Sequence, residues 1–173
     1  MQGMISDKLI ALIEKNADKI IARWTERLSS DPATPSFSQD ALQRFDAKAH
    51  MVIQELGEWI GYDKPQEDII RHYSQEGIGL FNLGIPLCEG ARALILLKRT
   101  IWLFVLESSI FESAMELHQI RELNDRVALF FDRAQYNFIM GYMEEMRNRA
   151  QGLWKLSETD TEKVFFKKSF YNN

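Results

Sequence analysis

The fold is decided by residues 71–106, which read RHYSQEGIGLFNLGIPLCEGARALILLKRTIWLFVL. The first part is polar and predicts a helix that ends in Gly77 and Gly79, before a short break at residues 82–84. A strongly apolar segment then begins at Pro86, and proline suits the first turn of a helix because its missing N–H would have no partner there. Its long apolar run is interrupted only at residues 98–100. Since a helix that is apolar all round normally lies inside a bundle, we expect residues 86–106 to form a buried rod wrapped by amphipathic neighbours.

Composition narrows the class of protein. The chain has 173 residues, of which 46% are apolar and 12% aromatic, and this predicts one ordinary globular domain. The net charge of -4 argues against nucleic-acid binding, which favours a basic face. A single cysteine, Cys88, excludes an internal disulfide and a CxxC metal site. We expect its thiol to be buried and inert, with a thiol activated by the helix N-terminus as the alternative.

No targeting or membrane segment is evident in the sequence. The N-terminal segment lacks the basic region of a signal peptide and carries Asp7 and Glu14. The longest apolar run is cut by Lys98 and Arg99, so it falls short of the roughly 18 to 20 residues that a membrane span requires. We therefore expect a cytoplasmic protein that does not enter a membrane.

Upstream of the apolar segment, residue spacing predicts two long helices. The first runs from Ser6 to Ser29, with one apolar stripe at residues 9, 13, 17, 20, 24 and 28. The second begins at Ser36 or Ser38, which compete as the N-cap, and ends near Ile60. The second helix has an apolar stripe at residues 42, 45, 49, 52, 56 and 59. Both stripes are typical of helices that cover the core of a bundle.

A shorter third helix and a long last helix complete the prediction. The third starts at the capping signal of residues 63–66, and we expect Gly77 and Gly79 to terminate or kink it because glycine is poor inside helices. The last begins near Ser113 or Ala114, with a helix continuous with the preceding one as the alternative, and extends to Trp154, on the order of 50 Å. Residues 1–156 are thus predicted to form an all-α, single-domain antiparallel bundle of about five helices, globin-like or four-helix-bundle-like. The polar linker and aromatic tail of residues 157–173 either fold back or contact a second chain.

The search for metal and haem chemistry centres on three histidines. The Glu-x-x-His pairs of di-iron bundles are absent at His50, His72 and His118, and so is His-Glu-x-x-His. His72 and Glu76 share a helix face at i, i+4, where they form either a metal-ligand pair or an ordinary polar pair. His72 is also the best candidate for an axial haem ligand. The sequence contains no Gly-x-Ser-x-Gly motif and no phosphate-binding loop, so we do not expect an enzyme.

Two basic residues interrupt the apolar helix. Lys98 and Arg99 either extend to the surface or meet an anionic partner, and Glu76 or Glu89 could serve within the fold. A bound carboxylate or phosphate is the alternative. The sequence therefore predicts a ligand-binding site that combines the histidine segment with this helix, at His72, Tyr73, Glu76, Lys98, Arg99 and Trp102.

Several segments resemble a known family of sensory domains. The segments read IIARW at residues 20–24, EG at 76–77, GIPL at 84–87 and LLKRTIW at 96–102. Together they resemble the N-terminal domain of RsbRD-type proteins, the RsbT co-antagonist N-terminal family. The resemblance implies a helical input domain of bacterial stress signalling that sits ahead of an effector domain.

No effector domain is recognisable within these residues. We therefore expect a stand-alone sensory or regulatory domain, which binds a small ligand or a signalling partner protein and is not catalytic. We also expect a homodimer formed through the long helices, and no bound cofactor. The alternative is a sensor that binds haem or another cofactor, with His72 as the axial ligand.

Overall fold

Seven helices make up the part of the chain that the computed structural model describes, which is residues 3–61, 66–108, 114–155, 157 and 159–160. No strand occurs among these residues, so the predicted all-α class is confirmed. None of the described helices combines the length and the hydropathy that a membrane span requires. The helices are α1 Gly3–Lys15, α2 Ala17–Ser30, α3 Gln39–Gln54, α4 Leu56–Trp59, α5 Gln66–Asn82, α6 Leu87–Ser108 and α7 Ala114–Trp154.

The two long N-terminal helices of the prediction are each divided in the structure. The first is interrupted at Asn16, whose side-chain amide donates to the carbonyl oxygen of Leu12 at 2.8 Å and so competes with the helical ladder. The second is interrupted at Glu55, and the N–H of Gly57 just beyond donates to the Glu14 carboxylate at 2.8 Å. The predicted first stripe is nevertheless correct, because all six of its residues are buried.

The competition between two N-cap serines is resolved in favour of Ser38. Its hydroxyl accepts from the N–H of Ala41 at the start of α3. Ser36 instead donates its hydroxyl to Glu89 at 2.8 Å, and its N–H donates to the same carboxylate at 2.8 Å. Glu89 is buried at the start of α6, so this contact fixes the entrance of α3 against α6.

The prediction that Gly77 and Gly79 end or kink the third helix is wrong, because α5 continues through both of them to Asn82. Gly77 instead provides a close approach to α7: a Cβ there would overlap the carbonyl oxygen of Phe138 and lie 2.8 Å from the nitrogen of Tyr142. Gly84, two residues beyond the end of α5, has a φ of +71° and allows the N–H of Ile85 to reach the carbonyl of Leu80 at 3.2 Å.

The apolar helix α6 begins where the sequence predicts, but it is not a rod buried on every side. Its inward face is buried, whereas Ile95 is 40% exposed and Leu106 is 41% exposed. Cys88, expected to be buried, is exposed at its first turn. The reason is geometric: α6 packs on α2, α7, α5 and α1 from one side, so its outer apolar residues have no helix above them in the described part of the chain.

The central element is α7, which packs on α1, α5 and α6. Its 41 residues span roughly 60 Å. α6 runs antiparallel to it, since Lys98 contacts Asp132 while Ile85 contacts Tyr142 further along α7. α5 and α7 run in the same direction. Gly77 lies against residues 138–142 and Asn82 meets Arg149, so the bundle is not antiparallel throughout.

Several predicted features lie outside the described residues. These are the capping segment at residues 63–65, the junction at residues 109–113 and the aromatic stretch of the C-terminal tail at residues 164–171.

Candidate functional site: an apolar cavity with a charged pair

A cavity of about 50 Å³ lies among α2, α3, α5 and α6, with one side chain contributed by α7. Its wall is almost entirely apolar and rich in aromatic rings, and charge enters it at only two of the lining residues. The lining residues are Trp24, Phe37, Phe45, Lys48, Ala49, Val52, His72, Tyr73, Glu76, Leu80, Gly90, Ala93, Leu94, Leu97 and Phe138.

The charged pair consists of Glu76 on α5 and Lys48 on α3, whose ammonium donates to the Glu76 carboxylate. The two partners differ in their surroundings: the Glu76 side chain is 10% exposed, whereas that of Lys48 is 53% exposed. A buried carboxylate requires a counter-ion, because its desolvation is otherwise not offset. The pair therefore places a fixed negative charge at the wall of an apolar cavity and a movable positive charge at its rim.

His72 and Tyr73 stand beside this pair in an aromatic cluster. The His72 ring lies 5.1 Å from the Trp59 ring and 4.9 Å from the Tyr73 ring, measured between centroids. Burial raises the pKa of Tyr73, and the nearby Glu76 carboxylate raises it further. Tyr73 is therefore a neutral phenol at physiological pH, and it forms part of the cavity wall without carrying charge.

The volume of the cavity limits what it can hold. About 50 Å³ suits a few water molecules or a small organic group. Pockets for drug-sized ligands measure roughly 300 to 1,000 Å³, so a porphyrin does not fit beside His72 in this arrangement. Nor do the described residues bring together three or more His, Cys, Asp or Glu side chains able to hold a metal ion. The haem alternative thus has no geometric support here.

The structure brings together only half of the predicted site. His72, Tyr73 and Glu76 line the cavity, whereas Lys98 and Trp102 line a separate space of about 20 Å³ between α6 and α7. Lys98 does meet an anionic partner, but it is neither Glu76 nor Glu89, because its ammonium donates to Asp132 on α7 at 3.2 Å. Arg99, one residue further on, faces outward from the exposed side of α6.

Sequence reasoning missed one residue that shapes the site, Lys48, and one contact, made by Trp24. Lys48 follows Phe45 by three residues and precedes Val52 by four, so it lies on the flank of the apolar stripe of α3. A lysine in that position was a usable signal that a carboxylate lies nearby. Trp24 was placed correctly in the core, but its indole N–H donates to the carbonyl of Ala93 at 2.9 Å, which brings α2 and α6 together at the cavity.

Comparison with known proteins adds no relative: no protein-family model, curated protein or solved structure matches this chain. The resemblance to RsbRD-type sensory domains therefore stays a prediction.

Proposed function

We propose that this protein is a non-catalytic sensory or regulatory domain that binds a small ligand in the cavity between α3, α5 and α6. The observation that carries the proposal is the combination of an apolar cavity with a buried carboxylate held by one half-exposed lysine. Small-molecule sites in proteins have this composition, with mostly apolar walls and a few polar groups that orient the ligand. Ligand entry at this place bears on the Lys48–Glu76 contact between α3 and α5, and this gives the domain a way to transmit binding.

The test fills the cavity. Ala49 lines it from α3, so A49L places a larger side chain in the space. Ala47 is exposed on the same helix, and A47L is therefore the matched control. We expect a fragment library to yield molecules that shift the Trp24 indole N–H signal in wild type and A47L but not in A49L. The proposal is contradicted if no fragment shows saturable binding that A49L abolishes.

We propose further that a second copy of the chain binds to the outer face of α7. Leu129, Tyr136 and Met140 are 51%, 64% and 41% exposed, and their spacing places them on one stripe. In an antiparallel pairing of two α7 helices, Leu129 faces Met140, Arg133 faces Tyr136, and Glu122 faces Arg147. Each of these pairs is apolar, cation–π or oppositely charged. This complementarity of the stripe to itself favours a second copy over an unrelated signalling partner.

The oligomeric state tests this surface directly. We expect light scattering to give a dimer for wild type at high micromolar concentration and a monomer for Y136E. The matched control is I95E, which removes an exposed apolar residue from α6 on another face. A monomeric wild type contradicts the proposal, as does a dimer that survives Y136E and is lost in I95E.

A further inference from the structure

The counter-ion of Glu76 is the feature from which the chemical class of the ligand follows. Glu76 is held in place by α5 and by its burial, whereas Lys48 reaches it from a half-exposed position on α3. A lysine side chain is long and flexible, and its ammonium is strongly hydrated when it points to water. Of the two partners, Lys48 is the one that another group can replace.

We propose that the cavity binds a small apolar molecule carrying a protonated primary amine, whose ammonium takes the place of the Lys48 ammonium on Glu76. This inference rests on the proposed ligand-binding function of the same cavity. The exchange is balanced in charge: one ammonium leaves Glu76 for water as another arrives from water. The buried carboxylate therefore keeps a counter-ion throughout.

The wall of the cavity suits both parts of such a molecule. Its apolar area takes up the hydrocarbon body. The ring of Tyr73 stands on the same helix as the carboxylate, and the ring of Phe45 lines the cavity from α3. Aromatic faces attract cations, so they add to the pairing with Glu76. The cavity opens to solvent where Lys48 lies, so a molecule larger than about 50 Å³ extends out through this rim once the Lys48 ammonium has withdrawn.

Ligands of other charge are disfavoured at this position. An anion that paired with Lys48 would draw it from Glu76 and leave a buried carboxylate without a counter-ion. A neutral molecule of the same shape gains the apolar contacts, but it does not replace Lys48. Charge therefore selects the amine among molecules of equal size.

The experiment compares benzylamine, benzyl alcohol and benzoate, which are close in size and differ in charge. The readout is the Trp24 indole N–H signal, because Trp24 lines the cavity. We expect saturable binding of benzylamine to the wild-type protein and weaker binding of the other two. K48A removes the competing ammonium and is expected to bind benzylamine about tenfold more tightly. E76Q keeps the shape of the side chain but loses its charge, and is expected to bind benzylamine at least about tenfold more weakly.

The control is K19A, which removes the same charge from an exposed position on α2 and is expected to bind benzylamine like wild type. If K48A does not fold, K48M serves in its place. Benzyl alcohol or benzoate binding more tightly than benzylamine, or unchanged benzylamine binding in E76Q, overturns the amine assignment and leaves the ligand-binding function standing. No response to any of the three probes, in wild type and in the folded Lys48 variant, contradicts both.

Discussion

The two sides of α5 show opposite ways of holding a helix in place. On one side, Gly77 brings the backbone of α5 against the backbone of α7, where a Cβ would overlap the carbonyl oxygen of Phe138. On the other side, the preceding residue, Glu76, meets Lys48 of α3 across the rim of a cavity. The Gly77 contact leaves no space between α5 and α7. The Glu76–Lys48 contact lies at the edge of a cavity between α5 and α3.

This difference indicates where the molecule can change shape. Close-packed backbones have no alternative arrangement, because any separation loses many contacts together. A cavity closed by an ion pair can open by the movement of one flexible side chain. Elements that respond to ligands are drawn from the less stable parts of a protein. We therefore infer that the pair of helices α5 and α7 forms a rigid frame. The responsive region is α3.

The largest expected effect on stability comes from replacing a glycine of the α5 and α7 pair with alanine, which adds one methyl group. Gly141 on α7 mirrors Gly77, since a Cβ on it would overlap the carbonyl oxygen of Ser74 and lie 2.6 Å from the Cα of Ser74. The neighbours in both cases are backbone atoms, which cannot rotate away. We expect G77A and G141A each to lower the free energy of unfolding by about 3 kcal/mol or more, measured by urea denaturation.

The matched control for this prediction is Gly79, two residues from Gly77 on the same helix. A Cβ there meets nothing within 4 Å, so G79A is expected to stabilise the protein by up to about 1 kcal/mol through higher helix propensity. Equal destabilisation by G77A and G79A would show that helix propensity, and not the close approach to α7, decides the effect.

These two glycines also mark the limit of what the sequence could predict. The amphipathic stripe of the first helix was correct because helical period alone determines it. Gly77 and Gly79 are indistinguishable in the sequence, and only the position of α7 makes one of them indispensable. The overestimated burial of α6 has a related origin, because periodicity identifies apolar residues but does not count the helices available to cover them.

The site was predictable in part for the same reason. His72, Tyr73 and Glu76 are close in sequence, so one helix brings them to one wall. Lys48 lies 28 residues before its partner Glu76, and this pairing depends on how α3 crosses α5. Lys98 and Arg99 were assigned to the same site on chemical grounds alone, although α6 directs them elsewhere.

A smaller effect on stability is expected from substitutions of the charged pair at the cavity. The two partners are expected to differ in how much stability their loss costs. K48M leaves the Glu76 carboxylate buried without its counter-ion, so we expect a loss of about 1 to 3 kcal/mol in the free energy of unfolding. E76M leaves Lys48 free to extend into water and fills part of the cavity. We expect E76M to be within about 1 kcal/mol of wild type, or more stable.

The double variant K48M/E76M completes the comparison, and we expect it to recover most of the stability that K48M loses. This outcome would show that the charged pair contributes little net stability, as expected of groups retained for binding. Greater destabilisation by E76M than by K48M would instead assign the carboxylate a structural role and weaken the distinction between frame and responsive region.

The smallest expected effect concerns Asp31, which ties the loop before α3 to α6. Its carboxylate accepts from the N–H of Ala33 and from the Arg92 guanidinium, each at 2.9 Å. The Ala33 N–H chiefly, and Arg92 in addition, hold the pKa of Asp31 below its ordinary range. A carboxyl group with a lowered folded-state pKa stabilises the fold above its unfolded-state pKa, about 3.9, and loses that contribution as pH falls through the folded-state value.

D31N should therefore have a slightly lower Tm than wild type at neutral pH, and the difference should shrink as the pH falls below about 4. Thermal melts of both proteins over that range measure it, with D125N as the control because Asp125 is exposed on α7. If the Tm difference stays constant down to the lowest pH at which both proteins fold, the asparagine of D31N destabilises the protein for a reason other than the loss of charge. In that case the geometry of the side chain, and not its charge, would hold the loop against α6. The loop would then be part of the rigid frame and not of the responsive region.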